Sequence, residues 1–507
     1  MRNRYQTLRI ILNSLGSLCL VLGGILMVPV IVVILNGELS RGYSTLFAFL
    51  IPSALAFCLG TVGRTLFRRG TVSVVHAMLI CSLGWIAFSL LGALPFVIGI
   101  HASYLDGVFE TMSGFTTTGI TMFTGLDHMP RSVLFWRSFT QWVGGLGILT
   151  FFLAVTYRGG SAHMLFGAES HKIDVGRPVP GLAHTIKILW SVYAGYTLFI
   201  VLSLVVAGMP LFDSICHGFT TLSTGGFSPH DASIGYYRLG GYPHYIWIEY
   251  ILIVGMLMGG TNFLIHYRIL KGDGKALYDN AEMKYWWGLI GVFLAVILTE
   301  RLLRVDVLAG ASLSNGRFWR EIEGNFRIVA FQVTSIITTT GFGTRDIGGS
   351  FFGHVAKQLF LVMMVIGGCV GSTGGGIKVL RVAILSRVFR REMYSVVRSR
   401  RAVSAVQIDG KRVEVAQIER VSGLFFAWIV LLVIGGIVTA FLSHFDGYRA
   451  FSGMFSALGN IGPCYIPVKA MGQLHACIKL VYIFGMLAGR LEILPVVLLF
   501  SSKAWQS

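Results

Sequence analysis

The sequence predicts an all-α polytopic membrane protein in which two extra N-terminal helices precede four long-short-long helical units in pseudo-fourfold symmetry. Composition is the first observation: 54% of the 507 residues are hydrophobic and 13% are charged, whereas soluble domains carry about 25% charged residues. The second observation is a regular alternation of long and short apolar runs. The third is a short glycine-containing motif, Thr-rich in its clearest copies, after each short run. The composition therefore excludes a soluble enzyme.

The long runs are long enough to cross a bilayer, which takes about 20 residues, and the short runs are not. Short helices at membrane depth are tolerated where they face protein or a wet cavity, so we interpret them as re-entrant pore helices. The predicted segments are 10–35 and 45–63, followed by 72–99, 106–116 and 132–157, by 184–208, 213–222 and 245–268, by 284–305, 324–338 and 354–386, and by 421–443, 447–458 and 474–500. These segments amount to ten spans and four re-entrant pore loops in membrane-pore-membrane repeats, with predicted boundaries at 1–70, 71–160, 161–275, 276–410 and 411–507.

The tetrapeptide after each short run indicates an ion path. Thr116-Thr117-Thr118-Gly119 and Thr338-Thr339-Thr340-Gly341 are nearly identical, and Leu222-Ser223-Thr224-Gly225 and Gly459-Asn460-Ile461-Gly462 are looser relatives. Glycine permits backbone conformations that a residue with Cβ resists, and threonine offers an uncharged oxygen. Backbone carbonyls presented in this way replace the water shell of an ion. Four copies in equivalent places therefore predict fourfold pseudosymmetry around one path.

The net charge of +18 fits a membrane protein better than a nucleic-acid binder, because basic residues collect in cytoplasmic loops. Orientation is predicted from one set of loop arginines and lysines: Arg64, Arg68, Arg69, Arg387, Arg390, Arg391, Arg398, Arg400, Arg401, Lys411 and Arg412. If these lie inside, both termini are cytoplasmic and the four tetrapeptides face outward. Five arginines then fall outside and are partly offset by four acidic neighbours. The arginines are Arg301, Arg304, Arg317, Arg320 and Arg327, and the acidic residues are Glu300, Asp306, Glu321 and Glu323.

A glycine-rich run, residues 367–378, interrupts the second long segment of the third unit. It lacks the Gly-Lys-Ser/Thr ending of a phosphate-binding loop. So many glycines predict non-helical backbone at membrane depth, which is tolerated only where it is buried or lines a cavity. We interpret the run as a constriction in the ion path, and helix-packing glycines are the alternative. Arg490, inside the last apolar run, is interpreted as a positive charge beside that path. The alternatives are that its side chain reaches the inner membrane surface or that it pairs with Glu492.

Four acidic residues lie in or near the short helices. Asp106, Asp213 and Asp446 stand where these helices should begin and are predicted to cap them. Glu110 lies inside the first short helix and is expected to accept hydrogen bonds from the backbone of the following loop. The histidines show no metal-ligand spacing, and no nucleophile, base and acid occur together, so no enzyme is predicted.

Together these motifs closely resemble those of the Trk/Ktr/HKT superfamily, specifically the TrkH-type membrane subunit of bacterial Trk potassium uptake systems. The residues that carry the resemblance are 110–119, 223–228, 338–342, 459–463, 371–378 and 489–492. The resemblance implies potassium bound in a filter by Thr117, Thr118, Gly119, Ser223, Thr224, Gly225, Thr339, Thr340, Gly341, Asn460, Ile461 and Gly462. It implies a gate formed by Gly371, Ser372, Thr373, Gly374, Gly375, Gly376, Lys378 and Arg490.

The same resemblance implies a homodimer in the bacterial inner membrane, with potassium as substrate and one pore in each protomer. It also implies a cytosolic TrkA-like regulatory subunit that binds nucleotide. The chain has no dinucleotide-binding fingerprint, so that domain is expected on a separate protein, and no cofactor is expected in this chain. A sodium- or proton-coupled potassium symporter of the same fold stays open, as does passive flux. A sodium transporter would often replace the first filter glycine by serine, and a scaffold that no longer conducts would have lost filter glycines.

Overall fold

A computed structural model describes residues 2–67, 70–147, 182–304, 316–397 and 405–506. Over these residues the chain is helical apart from loops and a two-stranded hairpin of β1 (Gln407–Ile408) and β2 (Lys411–Arg412). The arrangement begins with α1 (Arg2–Leu35) and α2 (Ser44–Leu66), which form an antiparallel pair. Their backbones approach closely at two glycines, since a Cβ on Gly16 would lie 2.9 Å from the Cα of Gly63. Close approach of this kind is how small residues pack membrane helices.

The remaining helices form four units of similar plan. The first has α3 (Val74–Gly92), α4 (Leu94–Ile100), α5 (Tyr104–Phe115) and α6 (Arg131–Gly145); the second has α7 (Leu182–Val206), α8 (Leu211–Leu222), α9 (Gly235–Leu239), α10 (Tyr245–Gly260) and α11 (Phe263–Leu270). The third has α12 (Ala281–Arg304), α13 (Gly316–Ile337), α14 (His354–Val365) and α15 (Val379–Val397); the fourth has α16 (Val415–Leu442), α17 (Gly447–Gly459), α18 (Val468–Met471), α19 (Ala476–Arg490) and α20 (Leu494–Leu498). Each unit thus has one helix (α5, α8, α13 or α17) that leads into one of the four buried tetrapeptides, and this helix lies between two other helices of the unit in chain order.

Among the described residues, six helical segments are long and apolar enough to cross a membrane, and one of them combines α3 with α4. The other five are α1 from Arg4, α2, α7 from His184, α12 and α16. A seventh span would be α10 with α11, which are bent by 107° at the break between them. The helices that carry the tetrapeptides match the predicted segments closely, except that α13 begins at Gly316 and not near 324.

The second long segment of each unit is broken, which the sequence predicted only for the third unit. Helix α6 ends at Gly145, α10 at Gly260, α14 at Val365 and α19 at Arg490. The segments predicted as spans at 245–268 and 474–500 are therefore each interrupted, after Gly260 and after Arg490, and the part of 132–157 beyond residue 147 lies outside the described residues. Three of these breaks lie beside the end of the short helix in the same unit, since Gly144, Gly259 and Gly489 pack against Phe115 O, Leu222 O and Leu458 O.

The capping prediction holds for one helix of three. Asp446 caps α17, its carboxylate accepting from the Arg449 amide at 2.8 Å. Helix α5 is capped by Ser103 instead, and the carboxylate of Asp106 accepts from the Ser103 hydroxyl and from Lys479. Helix α8 begins after Pro210, which leaves Asp213 free to bind groups from a distant loop.

Candidate ion path

The four tetrapeptides share one unusual backbone conformation. The central residue of each has a left-handed backbone: Thr117 with φ 53°, Thr224 with φ 53°, Thr339 with φ 59° and Asn460 with φ 54°. A positive φ is uncommon outside glycine and is strained for a β-branched residue such as threonine. The same strain recurs at four equivalent places, so the surrounding packing imposes it and the four segments are structural repeats.

A glycine with positive φ follows two residues later in each segment: Gly119 at 81°, Gly226 at 78°, Gly341 at 89° and Gly462 at 105°. The predicted equivalence of Gly225 with Gly119 is therefore wrong by one residue. Backbone hydrogen bonds agree, since the amide of Thr118 donates to Ser113 O and that of Gly225 to Thr220 O, both at 2.8 Å. Two consecutive glycines hide this register in the sequence. We name residues 117–119, 224–226, 339–341 and 460–462 the filter segments.

The filter segments close into a ring. A Cβ on Gly119 would lie 2.3 Å from Gly225 O, and one on Gly226 would lie 2.0 Å from Thr340 O. A Cβ on Gly341 would lie 2.0 Å from Ile461 O, and one on Gly462 would lie 2.9 Å from Thr118 O. Each glycine thus packs against the carbonyl of the next unit, and the fourth unit returns to the first. Such a cycle of four carbonyls has the pseudosymmetry that an ion filter requires.

A buried ion pair supports the first filter segment. The Glu110 carboxylate accepts from Arg137 Nε at 2.8 Å, from the Met122 amide at 2.9 Å and from the Thr121 hydroxyl at 2.8 Å. Arg137 also donates to Ser228 O at 2.9 Å. The pair therefore ties the chain after the first filter segment to the chain after the second. The hydrogen bonds that the sequence predicted for Glu110 are confirmed, and Arg137 was missed.

Removing one member of this pair should be costly. The Arg137 and Glu110 side chains are 1% and 0% exposed, and breaking a buried pair costs about 3–5 kcal/mol because a charge is left uncompensated. We expect Arg137→Met to lower the free energy of unfolding in mixed micelles by that amount. Combining it with Glu110→Gln should recover most of the loss. A double variant as unstable as the single one would show that the pair does not act as a unit.

The glycine-rich loop, residues 367–378, lies against the filter segments. The Thr373 hydroxyl is buried and accepts from that of Thr224 at 3.2 Å. The Gly375 amide donates to Thr339 Oγ1 at 2.9 Å, and a Cβ on Gly375 would lie 2.6 Å from that of Asn460. The loop therefore touches the left-handed residue of three filter segments. Its non-helical backbone is satisfied by neighbouring segments, as buried backbone at membrane depth requires.

Arg490 fastens this loop to two other units. Its guanidinium donates to Thr373 O, and to Gly144 O and Gly145 O at 2.7 Å each. Both carbonyls belong to the last turn of α6, where helix carbonyls need partners from outside the helix, and Gly144 O also accepts from the Gly147 amide at 3.0 Å. The predicted alternative partner of Arg490, Glu492, instead pairs with Arg381 at 2.5 Å.

The rest of the loop is held at both ends. Glu282, at the start of α12, accepts from the Val370 amide at 2.7 Å. The Lys378 ammonium donates to Gly374 O within the loop. The amide of Phe263 donates to Gly371 O at 3.1 Å, and the Gly374 amide donates to the Ser372 hydroxyl at 3.3 Å. Thr373 and Gly375 therefore join the loop to the filter segments, and Glu282, Lys378 and Phe263 hold the loop around them.

A second polar cluster, which sequence reasoning missed, joins two loops that follow the first and second filter segments. His230 Nδ1 lies 2.5 Å from Asp127 Oδ1, and its Nε2 lies 3.0 Å from Asp213 Oδ2. Its ring stacks on Tyr236 with centroids 3.6 Å apart. Two carboxylates need two N–H donors, so the imidazole is protonated in this arrangement. Burial opposes that charge, but the bonds to Asp213 and Asp127 outweigh it and raise the pKa of His230.

The ion pairs of His230 with Asp127 and Asp213 should weaken as the pH rises. A histidine whose pKa is raised by folding stabilises the protein below its unfolded pKa of about 6.5, and the contribution disappears as pH passes the folded pKa. We expect His230→Gln to lower the melting temperature in detergent most near pH 6. The difference from the parent protein should shrink towards pH 8. A difference that does not change across this range would mean that the imidazolium contributes nothing.

Comparison with known proteins agrees with this geometry. A family model described as TrkH, a cation transport protein, matches residues 45–507. The Trk system potassium uptake protein TrkH of Salmonella typhimurium is 30% identical over 504 residues, covering 98% of this chain and 99% of that protein. TrkH of Vibrio parahaemolyticus is 33% identical over 441 residues, covering 85% and 86%. A crystal structure of the potassium transporter TrkH from Vibrio parahaemolyticus superposes with a TM-score of 0.83 at 30% identity, covering 98% and 99%. The chain belongs to the TrkH family of cation transport proteins.

Proposed function

We propose that this chain forms the conducting pore of a potassium uptake system in a bacterial inner membrane. The observation that carries the proposal is the closed cycle in which each filter glycine packs against a carbonyl of the next unit. Carbonyls fixed in such a ring replace the hydration shell of a cation. The proposed binding residues are Thr117, Thr118, Gly119, Ser223, Thr224, Gly225, Gly226, Thr339, Thr340, Gly341, Asn460, Ile461 and Gly462. The named relatives are potassium uptake proteins, which favours potassium as the substrate.

The glycine-rich loop is proposed as the gate, held shut by Arg490. Support comes from the contacts of Thr373 and Gly375 with filter segments and from the three carbonyls that Arg490 joins. A motion that released Arg490 would free the loop from α6. We further propose a homodimer with both termini in the cytoplasm, and a separate TrkA-like subunit that binds nucleotide and drives this motion.

Complementation tests the proposed function. Cells that lack their own potassium uptake systems should grow at low external potassium when they express this chain with a regulatory subunit. Expression of the chain should be checked by immunoblot in the membrane fraction. Absence of growth and of potassium accumulation, with the protein present in the membrane, would overturn the proposal.

The proposed docking surface for the regulatory subunit is the basic stretch from Arg387 to Arg412. Its described part includes the exposed Arg390, whereas Arg398, Arg400 and Arg401 lie outside the described residues. Reversing the charge of those last three should loosen co-purification of the subunit, since opposite charges steer and hold such partners. Lys271→Glu with Lys275→Glu, in another exposed loop, is the control. Unchanged stoichiometric co-purification would show that the stretch only determines membrane topology.

A further inference from the structure

Three helices that follow the filter segments, α6, α10 and α19, pack in equivalent ways on the short helix of their own unit. Gly144, Gly259 and Gly489 pack in the same way against carbonyls at the ends of α5, α8 and α17, those of Phe115, Leu222 and Leu458, each two residues before the left-handed residue of its filter segment. Counting back three residues from each glycine gives Gln141, Met256 and Met486, all of them buried. One of these three positions therefore carries an amide where the other two carry an apolar side chain.

The Gln141 amide is bonded on both sides to the second filter segment. Its Nε2 donates to Gly225 O at 2.6 Å, and its Oε1 accepts from the Phe227 amide at 3.0 Å. Gly225 O is the carbonyl against which Gly119 packs. Gln141 is 0% exposed, so water does not compete for these bonds. A side chain of the first unit thus fixes one of the four ring carbonyls of another unit.

Gln141 carries an amide because it faces Gly225, which has no side chain of its own. Gly225 stands where the first and third filter segments have Thr118 and Thr340, whose hydroxyls bond to Thr116 and Thr338 at 2.7 and 2.8 Å. Those side chains hold their own segments. Gly225 has none, and a Cβ there would lie 2.3 Å from Gln141 Cδ. The glutamine therefore fills the space and supplies the restraint that threonine supplies in the first and third filter segments.

We propose that Gln141 is a specificity-determining residue of the ion path, acting by holding the Gly225 carbonyl in place. The proposal rests on the proposed function and adds the residue that restrains the filter segment whose ring carbonyl belongs to a glycine. A peptide at glycine with no side-chain restraint rotates easily. Its carbonyl would then change both the size of the ring and the number of oxygens that face an ion, and selectivity depends on these two quantities.

The test replaces glutamine with the residue found at the equivalent positions. Gln141→Met keeps the length of the side chain and removes both hydrogen bonds. Purified protein in liposomes should then show a potassium-to-sodium flux ratio lowered by about three- to tenfold, the factor that a net hydrogen bond represents. Gly225→Thr combined with Gln141→Ala, which vacates the space that the new side chain needs, should restore most of the ratio, because the new hydroxyl would face Ser223, the counterpart of Thr116. Ser138→Ala, on the same helix, should leave the ratio unchanged.

The outcomes separate the inference from the proposed function. A parent protein that passes no potassium in the same liposomes would overturn the proposed function, and with it this inference. If the parent protein is selective and Gln141→Met is folded and equally selective, the inference alone is wrong. Should Gln141→Met fail to fold, the double variant decides. If the double variant is folded and selective, the threonine hydroxyl has replaced the hydrogen bonds of Gln141, which supports the inference. If it is folded and unselective, the inference is contradicted.

Discussion

Gly341→Ala is expected to remove the preference for potassium over sodium. At Gly341 φ is 89°, and a Cβ would lie 2.0 Å from the carbonyl oxygen of Ile461 in the next unit. A side chain at such a φ costs about 1–3 kcal/mol in strain alone, and the displaced carbonyl belongs to the ring. We therefore expect the potassium-to-sodium flux ratio to fall by at least about tenfold, which corresponds to 1.4 kcal/mol.

The control lies two residues away. Gly343 has no positive φ, and the nearest atom to its Cβ position is Arg345 O at 3.6 Å. Gly343→Ala should therefore keep both flux and selectivity. Equal selectivity in well-folded Gly341→Ala and Gly343→Ala proteins would show that the carbonyl ring does not select the ion. Gly119→Ser tests the same ring from the first unit and should also lower the ratio.

Releasing the glycine-rich loop should raise the flux that occurs without a regulatory subunit. Arg490→Ala removes the bonds to Thr373 O, Gly144 O and Gly145 O. Each hydrogen bond from a charged group contributes about 1.5–3 kcal/mol, so a rise in flux of about tenfold or more is expected. Removal of its positive charge from a low-dielectric path acts in the same direction. Deleting residues 371–376 should have at least as large an effect.

Both variants need a measure of folding, because glycines that only pack helices would give a different result. Flux should be expressed per folded molecule after gel filtration. Potassium binding should persist in both variants, since the filter segments belong to other parts of the chain. A folded deletion protein whose flux is no higher than that of the parent would exclude the loop as a gate. A deletion protein that is lost during purification would leave Arg490→Ala as the deciding variant.

The sequence was informative wherever a local pattern determines the structure. A short apolar run ending in a glycine-containing motif predicted helices that the structure places at Tyr104–Phe115, Leu211–Leu222 and Gly447–Gly459. The fourth, Gly316–Ile337, extends further because its first turns are polar and carry no hydropathy signal. The interruption at residues 367–378 was predictable because consecutive glycines destabilise a helix.

Other features depend on contacts between distant segments and leave no local signal. The chain turns at Thr261 and Asn262 because the glycine-rich loop lies there, with Cys369 N donating to Gly260 O at 2.9 Å. The register at Gly226 is set by Thr340 of the next unit. One signal was available and missed: Arg137 is a charged residue inside an apolar helix, and such residues are costly unless they have a function or a partner.

The central claim is that the four filter segments build one potassium-selective path through this chain. The most direct measurement is the reversal potential of purified protein in liposomes or planar bilayers with potassium on one side and sodium on the other. The gate should be released by Arg490→Ala so that the current is large enough to read. The account predicts a reversal potential close to that of a membrane permeable to potassium alone. A reversal potential near zero, in protein shown to be folded and conducting, would contradict it.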